Sequence, residues 1–143
     1  MNLEDTLKIL VFDMHPITRK GIRMMLNNIT MGENVTEAIS LNQFYKHLSD
    51  SEFDLIVVSV NEPDSFDSRK LSGKLPRTAL LYTEEGAEEA IDIMAMGAGA
   101  CMSKKCVDIE LREGISAVLT RRRHACAYTR ALADTMVPQG MHF

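Results

Sequence analysis

Four polar side chains each follow directly on a short apolar run. Asp13 follows LKILVF, Ser59 follows LIVV, Thr83 follows TALLY and Lys104 follows ACMS. A serine hydroxyl is a weak nucleophile without an adjacent base. Asp13 is the candidate base of the set, and Lys104 would compete for it. An ion pair between Asp13 and Lys104 satisfies two charges that are costly to leave unpaired, and it is favoured over a catalytic role for Asp13. Thr83 is placed to cap the helix that follows it.

Other reactive groups carry weaker signals. The run RRRH at 121–124 suits either an anionic partner or the solvated end of a helix, where cations complement the dipole. Cys101, Cys106 and Cys126 form no CxxC motif, and they read as buried fillers before they read as oxidant sensors. His15, His47, His124 and His142 have no metal-ligand spacing, so no metal site is expected.

The elements that must position the four polar groups follow from the apolar pattern. Residues 55–58 are an unbroken run rich in β-branched side chains, as in a strand buried on both faces of a parallel sheet. Ser59 and Asn61 then sit at its carboxyl end, where open α/β sheets place their sites. Pro63 turns the chain away. Residues 7–12 form a second buried strand, and Pro16 suits the first turn of a helix. In that helix Ile17, Gly21, Ile22, Met25 and Leu26 recur at helical spacing, and 27–34 is a polar break.

Further strands are expected at 35–39, 78–82 and 100–103, and helices at 41–48 (capped by Ser40), 84–96 and 107–119. In the 84–96 helix Ala87, Ala90, Ile91, Met94 and Ala95 are the inward set. In the 107–119 helix it is Val107, Leu111, Ile115, Val118 and Leu119. Residues 64–76 are polar and poorly patterned, which predicts a loop with one weak helix. Residues 128–136 read as a last short helix ended by Pro138 and Gly140. Strands alternating with helices imply right-handed crossovers. The expected fold is α/β: a flavodoxin-like (βα)5 doubly wound parallel sheet of order 2-1-3-4-5 with a short C-terminal linker helix. Asp13, Ser59, Thr83 and Lys104 then converge on one edge of that sheet.

Composition bounds the function. The 143 residues, 45% of them hydrophobic, suffice for one core. A net charge of −4 argues against a dedicated nucleic-acid binder. No apolar run is long enough to span a membrane, and the acidic start MNLEDTLKI is unlike a signal peptide, so a cytosolic (cytoplasmic) location is expected.

Four segments resemble response-regulator receiver domains of the NarL/LuxR type, a CheY-like family. DMHPITRKGIRMML (13–26) is similar to the family's DDHPLVRxGLRxLL, and DLIVVSVNEP (54–63) to DLVLLDLNMP. ALLYT (79–83) resembles the strand that ends in the family's switch threonine, and MGAGACMSKK (96–105) resembles AGADGYLLKD. The resemblance covers about residues 7–120. It implies a receiver-like domain at 1–122 and a linker helix and tail at 123–143. It also maps the phosphoacceptor aspartate onto Ser59 and the second metal-binding acid onto Met14. The aromatic switch residue falls on Cys101, whereas Asp13, Asn61, Thr83 and Lys104 match. Two of three acids are then missing. Mg²⁺ wants several hard oxygen ligands, and phosphoryl transfer depends on the charge neutralisation that the ion supplies.

The resemblance therefore implies a pseudo-receiver: no enzyme, no cofactor, and a phosphorylation-independent part in transcription regulation through protein–protein contact. A homodimer or a heterologous regulator is the expected partner. DNA would be reached only through a domain that this chain does not contain. The dimer surface expected from the resemblance lies on the first and last core helices, with Met24 exposed and Arg112, Ser116 and Thr120 as a polar flank. An alternative is cyclic dinucleotide binding by Arg121, Arg122, Arg123, Tyr128, Thr129 and Arg130. AYTR (127–130) lies where biofilm regulators of the VpsT type carry W-[FLM]-[ST]-R, but Ala127 offers no ring for a base to stack on.

Overall fold

The structure, a computed structural model, describes residues 7–29, 34–63, 66–106 and 108–136. Six strands form one sheet: β1 (Lys8–Phe12), β2 (Asn34–Ala38), β3 (Leu55–Val60), β4 (Thr78–Tyr82), β5 (Ala100–Ser103) and β6 (His124–Ala125). Their order is β2-β1-β3-β4-β5-β6, and every pairing is parallel. The helices are α1 (Pro16–Ile29), α2 (Leu41–Asp50), α3 (Ala87–Ala95), α4 (Asp108–Leu119) and α5 (Ala127–Met136). The expected order 2-1-3-4-5 is present, with β6 added beyond β5. No described helix is long and apolar enough to cross a membrane.

Strand side chains alternate between two faces, because successive Cβ atoms point to opposite sides of the sheet. Ile9, Val11, Leu55, Val57, Ala79 and Leu81 pack with Ile22 and Leu26 of α1 and Ile115 and Val118 of α4. Leu10, Ile56, Val58, Leu80 and Tyr82 pack with Phe44 and Leu48 of α2, Ala90 and Met94 of α3, and Leu132 of α5. This two-sided burial is why β3 reads as LIVV rather than as alternating polar and apolar residues. Ser40 caps α2 as expected, its hydroxyl accepting the Gln43 N–H.

Several elements depart from the expected pattern. Helix α1 runs through the polar residues Asn27 and Asn28. Ile17 and Gly21 are exposed, Ile17 at 88%. Ile17 lies five residues from Ile22, about 140° around a helix of 3.6 residues per turn, so it cannot share the inward face that Ile22 and Leu26 define. In α3 it is Ile93 that is buried, while Ala95 faces solvent. No α-helix is described between β3 and β4. Two 3₁₀ turns, Ser68–Leu71 and Leu75–Arg77, cross there, with Phe66 and Leu71 buried beneath them. Glu84–Gly86 likewise begins as a 3₁₀ turn before α3. Val107, expected on the inward face of α4, and Pro138, Gly140 and His142 lie outside the described residues.

The segment after α4 is part of the sheet rather than a free connection. Helix α4 closes with Arg121 in the left-handed conformation at φ 60°. The Arg122 N–H donates to the Ala117 carbonyl and the Arg121 N–H to the Val118 carbonyl, the paired bonds of a Schellman turn. His124 and Cys126 then donate backbone bonds to Gly99 and Cys101, which fixes β6 against β5. Ala125, Cys126, Thr129 and Ala133 are buried. The expected boundary at 122/123 thus falls just ahead of a strand that belongs to the same sheet.

Candidate functional site

In a parallel sheet every strand ends on the same edge. Asp13 follows β1, Ser59 lies near the end of β3 with Asn61 just beyond it, Thr83 follows β4 and Lys104 follows β5. The structure brings these residues into one hydrogen-bonded group. Asp13 is fully buried. The Ser59 hydroxyl donates to Asp13 Oδ2 at 2.6 Å, and Lys104 Nζ donates to the same oxygen at 2.9 Å. The other carboxylate oxygen, Oδ1, accepts the His15 N–H at 2.7 Å. Lys104 Nζ also donates to the Asn61 side-chain oxygen at 2.7 Å. Pro16 starts α1 immediately after this turn, and Arg19 one turn into that helix donates to the Asp13 carbonyl at 2.9 Å.

The electrostatics favour a charged Asp13. Burial pushes its carboxyl up, but the Ser59 hydroxyl, the His15 N–H and the Lys104 ammonium together outweigh burial and hold it below the usual carboxylate range. The expected Asp13–Lys104 ion pair is therefore present, and Ser59 acts as its hydrogen-bond donor. Asp13 cannot serve as a free base for Ser59 while Lys104 shares the oxygen that Ser59 contacts.

Thr83 does not cap the turn that follows it. Its hydroxyl donates to the Asn61 backbone carbonyl at 2.9 Å, and the Thr83 N–H donates to the Val60 carbonyl at 3.1 Å. The reason is the close approach of the next turn to β3: a Cβ on Gly86 would lie 2.0 Å from the Val60 carbonyl oxygen. Thr83 is drawn across the gap between strands rather than along its own helix. Met14 is exposed, and Cys101 is fully buried in the α3 and α5 face of the sheet. Burial pushes the Cys101 thiol well above its ordinary range.

The donor set does not fit a Mg²⁺ ion. Asp13 is the one carboxylate of the group, and both of its oxygens are engaged. Met14 carries a thioether, a poor ligand for a hard cation. The Asn61 carbonyl already accepts the Thr83 hydroxyl.

A feature that the residue pattern did not indicate adjoins the site. The Tyr82 and Thr129 hydroxyls lie 2.7 Å apart, both buried, and tie β4 to α5. Burial pushes the Tyr82 hydroxyl well above the ordinary phenol range. Cys101 on β5 offers no ring at this place, and the large buried ring comes instead from Tyr82 on the neighbouring strand β4. A cavity of about 240 Å³ opens between Thr83, Glu84, Glu85, Lys104 and Tyr128. A larger one, of about 1000 Å³, lies at the amino ends of the strands, near Lys8, Arg77, Arg121, Arg122 and Arg123.

The residues expected to share a cyclic dinucleotide are thus divided. Arg121, Arg122 and Arg123 border the lower cavity, Tyr128 borders the upper one, and Thr129 is buried beneath Tyr82. Arg123 is already engaged with the Met94 and Ala98 carbonyls at the end of α3. Arg130 is exposed on α5. Met24 is 59% exposed on α1; on α4 Arg112 is exposed and Ser116 half-buried, and Thr120 is exposed just past its end.

Five parallel strands in the order 2-1-3-4-5, with charged and hydroxyl groups gathered at their carboxyl ends, decide the architecture. This is the CheY-like receiver fold. A LuxR-family two-component response regulator from Aurantimonas sp. SI85-9A1 superposes with a TM-score of 0.71 at 23% identity, over 94% of this chain and 100% of that one. A LuxR-family DNA-binding response regulator from Silicibacter pomeroyi matches at 0.68 and 21% identity, over 85% of this chain and 98% of that one. The RcsB response regulator of Salmonella typhimurium matches at 0.73 and 15% identity, over 94% of this chain and 69% of that one. No family model and no curated protein matches the sequence. From the four segments 13–26, 54–63, 79–83 and 96–105, the residues Asp13, Ser59, Asn61, Thr83 and Lys104 gather at the carboxyl edge of the sheet.

Proposed function

We propose that the chain is an atypical receiver module of a LuxR/NarL-type transcription regulator. It works without phosphorylation and without enzymatic activity, through contact with another protein. The observation that carries this reading is the closed group of Asp13, Ser59 and Lys104: a single buried carboxylate that is fully satisfied by a hydroxyl, an ammonium and a backbone N–H. In a working receiver, charge added at the phosphoacceptor shifts a two-state equilibrium. Here a hydroxyl stands at that position and already donates its proton to Asp13, so the conformation is set by sequence or by a partner. Incubation with acetyl phosphate and Mg²⁺ should leave the intact mass unchanged. A stoichiometric gain of one phosphate overturns the reading.

The contact surface is assigned to α1 and α4, which pack side by side on one face of the sheet. Ile17, Gly21 and Met24 recur at helical spacing on the outward side of α1, an apolar stripe longer than Met24 alone. Arg112 on α4 and Thr120 just past its end supply a polar border, the arrangement of an apolar interface centre with a polar rim. The partner is a second copy or another regulator, and DNA is reached through a separate domain. The structural neighbours include RcsB dimers bound to two parallel DNAs, an association of that protein. Sedimentation should give a dimer for the natural chain and a folded monomer for Met24→Glu. Monomers for both at tens of micromolar exclude self-association through this face. Calorimetry with cyclic di-GMP should give no heat, because its expected contacts lie in separate places and Glu84 and Glu85 border the cavity beside Tyr128.

A further inference from the structure

Beside the Asp13–Lys104 group, past the carboxyl ends of β5 and β6, three side chains with metal-ligating atoms converge. Cys106 lies in the turn after β5, its N–H donating to the Ser103 carbonyl at 3.0 Å. Glu110 lies in the first turn of α4, and Cys126 follows β6. The two sulfurs and a carboxylate oxygen all lie within 4.8 Å of one another. Around a tetrahedral zinc ion, ligand atoms are separated by about 3.5–3.8 Å, given Zn–S near 2.3 Å and Zn–O near 2.0–2.2 Å. A small inward movement therefore closes the set.

We propose that Cys106, Glu110 and Cys126 form a site for one borderline-soft divalent cation of the zinc class, with the fourth position open to water. Three features support it. The ligand chemistry is selective: two thiolates favour zinc over Mg²⁺ or Ca²⁺, and with the carboxylate they offset the cation's charge. Two of the ligands are held by outer partners, as metal ligands are. The Ala127 N–H donates to Glu110 Oε2 at 3.2 Å. Cys126 Sγ accepts the Thr129 N–H at 3.4 Å and lies 3.0 Å from the Thr129 hydroxyl. Access is also suitable, since Cys106 and Glu110 are half-buried while Cys126 is fully buried behind them. The third cysteine is not part of the set, because Cys101 packs on the opposite face of the sheet. A bound cation would join the turn that carries Lys104 to the edge strand and the base of α5.

The test is titration of the reduced chain, held under a phosphine reductant without oxygen, with Co²⁺ as a spectroscopic stand-in, followed by displacement with Zn²⁺. The expected result is one equivalent bound, with thiolate-to-cobalt charge transfer and the strong visible bands of tetrahedral cobalt. Cys106→Ser and Cys126→Ser should abolish the charge-transfer band, and Glu110→Gln should weaken binding by roughly tenfold or more. Cys101→Ser should leave the spectrum and stoichiometry unchanged. Circular dichroism confirms that each variant is folded, and Cys106→Ser, at the half-buried position, is the decisive one if Cys126→Ser unfolds. The proposal is overturned by the absence of charge transfer in the folded natural chain. It is equally overturned if the band survives in Cys106→Ser or needs Cys101.

Discussion

Replacing Lys104 by methionine removes the ammonium and keeps most of the side-chain bulk. Asp13 then loses the bond at 2.9 Å but keeps those from Ser59 and His15, and the Asn61 amide oxygen loses its donor at 2.7 Å. Breaking one partner of a buried ion pair costs about 3–5 kcal/mol. The Lys104 side chain is 18% exposed and two bonds to Asp13 remain, so the low end applies, about 3 kcal/mol. For a chain of this size that lowers the melting temperature by roughly 6–12 °C. Asp13→Asn combined with Lys104→Met should recover part of the loss, with a coupling energy of about 1–3 kcal/mol in the double-mutant cycle.

The acid profile supplies a second reading of the same bond. The Asp13 carboxyl is depressed in the folded chain, so its stabilisation is fully present above the unfolded value of 3.8 and is lost as pH falls through the lower folded value. The stability difference between the natural chain and Asp13→Asn should be flat above about pH 5 and shrink below it. In Lys104→Met the folded carboxyl rises toward its unfolded value, so less stability is lost on acidification and the acid limb is shallower and ends at higher pH. Urea unfolding across this pH range is the assay. The reasoning is wrong if Lys104→Met unfolds within about 0.5 kcal/mol of the natural chain and the two acid limbs superimpose.

Three further outcomes are expected. Restoring both acids with Met14→Asp and Ser59→Asp should give Mg²⁺ binding and labelling by acetyl phosphate, whereas Ser59→Asp alone should give neither; labelling of the single variant would show that Met14 is not limiting. Thr129→Val leaves the buried Tyr82 hydroxyl without its partner and should cost about 1–3 kcal/mol, much of it recovered when Tyr82→Phe is added, as thermal unfolding will show. Gly86→Ala drives a methyl group into the Val60 carbonyl and should cost at least about 2 kcal/mol, shifting the turn that carries Thr83; an unchanged melting temperature would contradict the packing described.

The strands and their charged ends were legible in the sequence because two-sided burial writes an unbroken apolar run, and a polar residue that ends such a run marks the site edge. The Asp13–Lys104 pair followed from charge alone. What escaped depended on cross-chain geometry. Thr83 looked like a helix cap because sequence shows its own helix and not the Val60 carbonyl that crowds it. Asn61 was marked only by its place after β3, and its bond from Lys104 could not be read from that place. The HA pair of β6 is too short for any period to register, and its pairing follows from the Schellman turn at Arg121. Ile17 is apolar but its angle around α1 opposes Ile22, and apolar character alone does not tell the inward face from the outward one. Cys106 and Glu110 stand four residues apart across a helix start, a usable hint, but Cys126 joins them only through the register of β6 on β5.

That register also determines where the chain can be cut. β5 is bonded on one side to β4 and on the other to β6, so its backbone has no open side along Ala100 and Cys101. A chain ended before residue 123 would leave the β6-facing donors and acceptors at Gly99–Cys101 unpaired along an apolar strand and uncover Tyr82 and Cys101 together. An edge of that kind templates the addition of further strands from other molecules. The last fourteen described residues therefore act as a selvedge on the sheet, and insoluble aggregates rather than a smaller soluble receiver are what such a cut should yield.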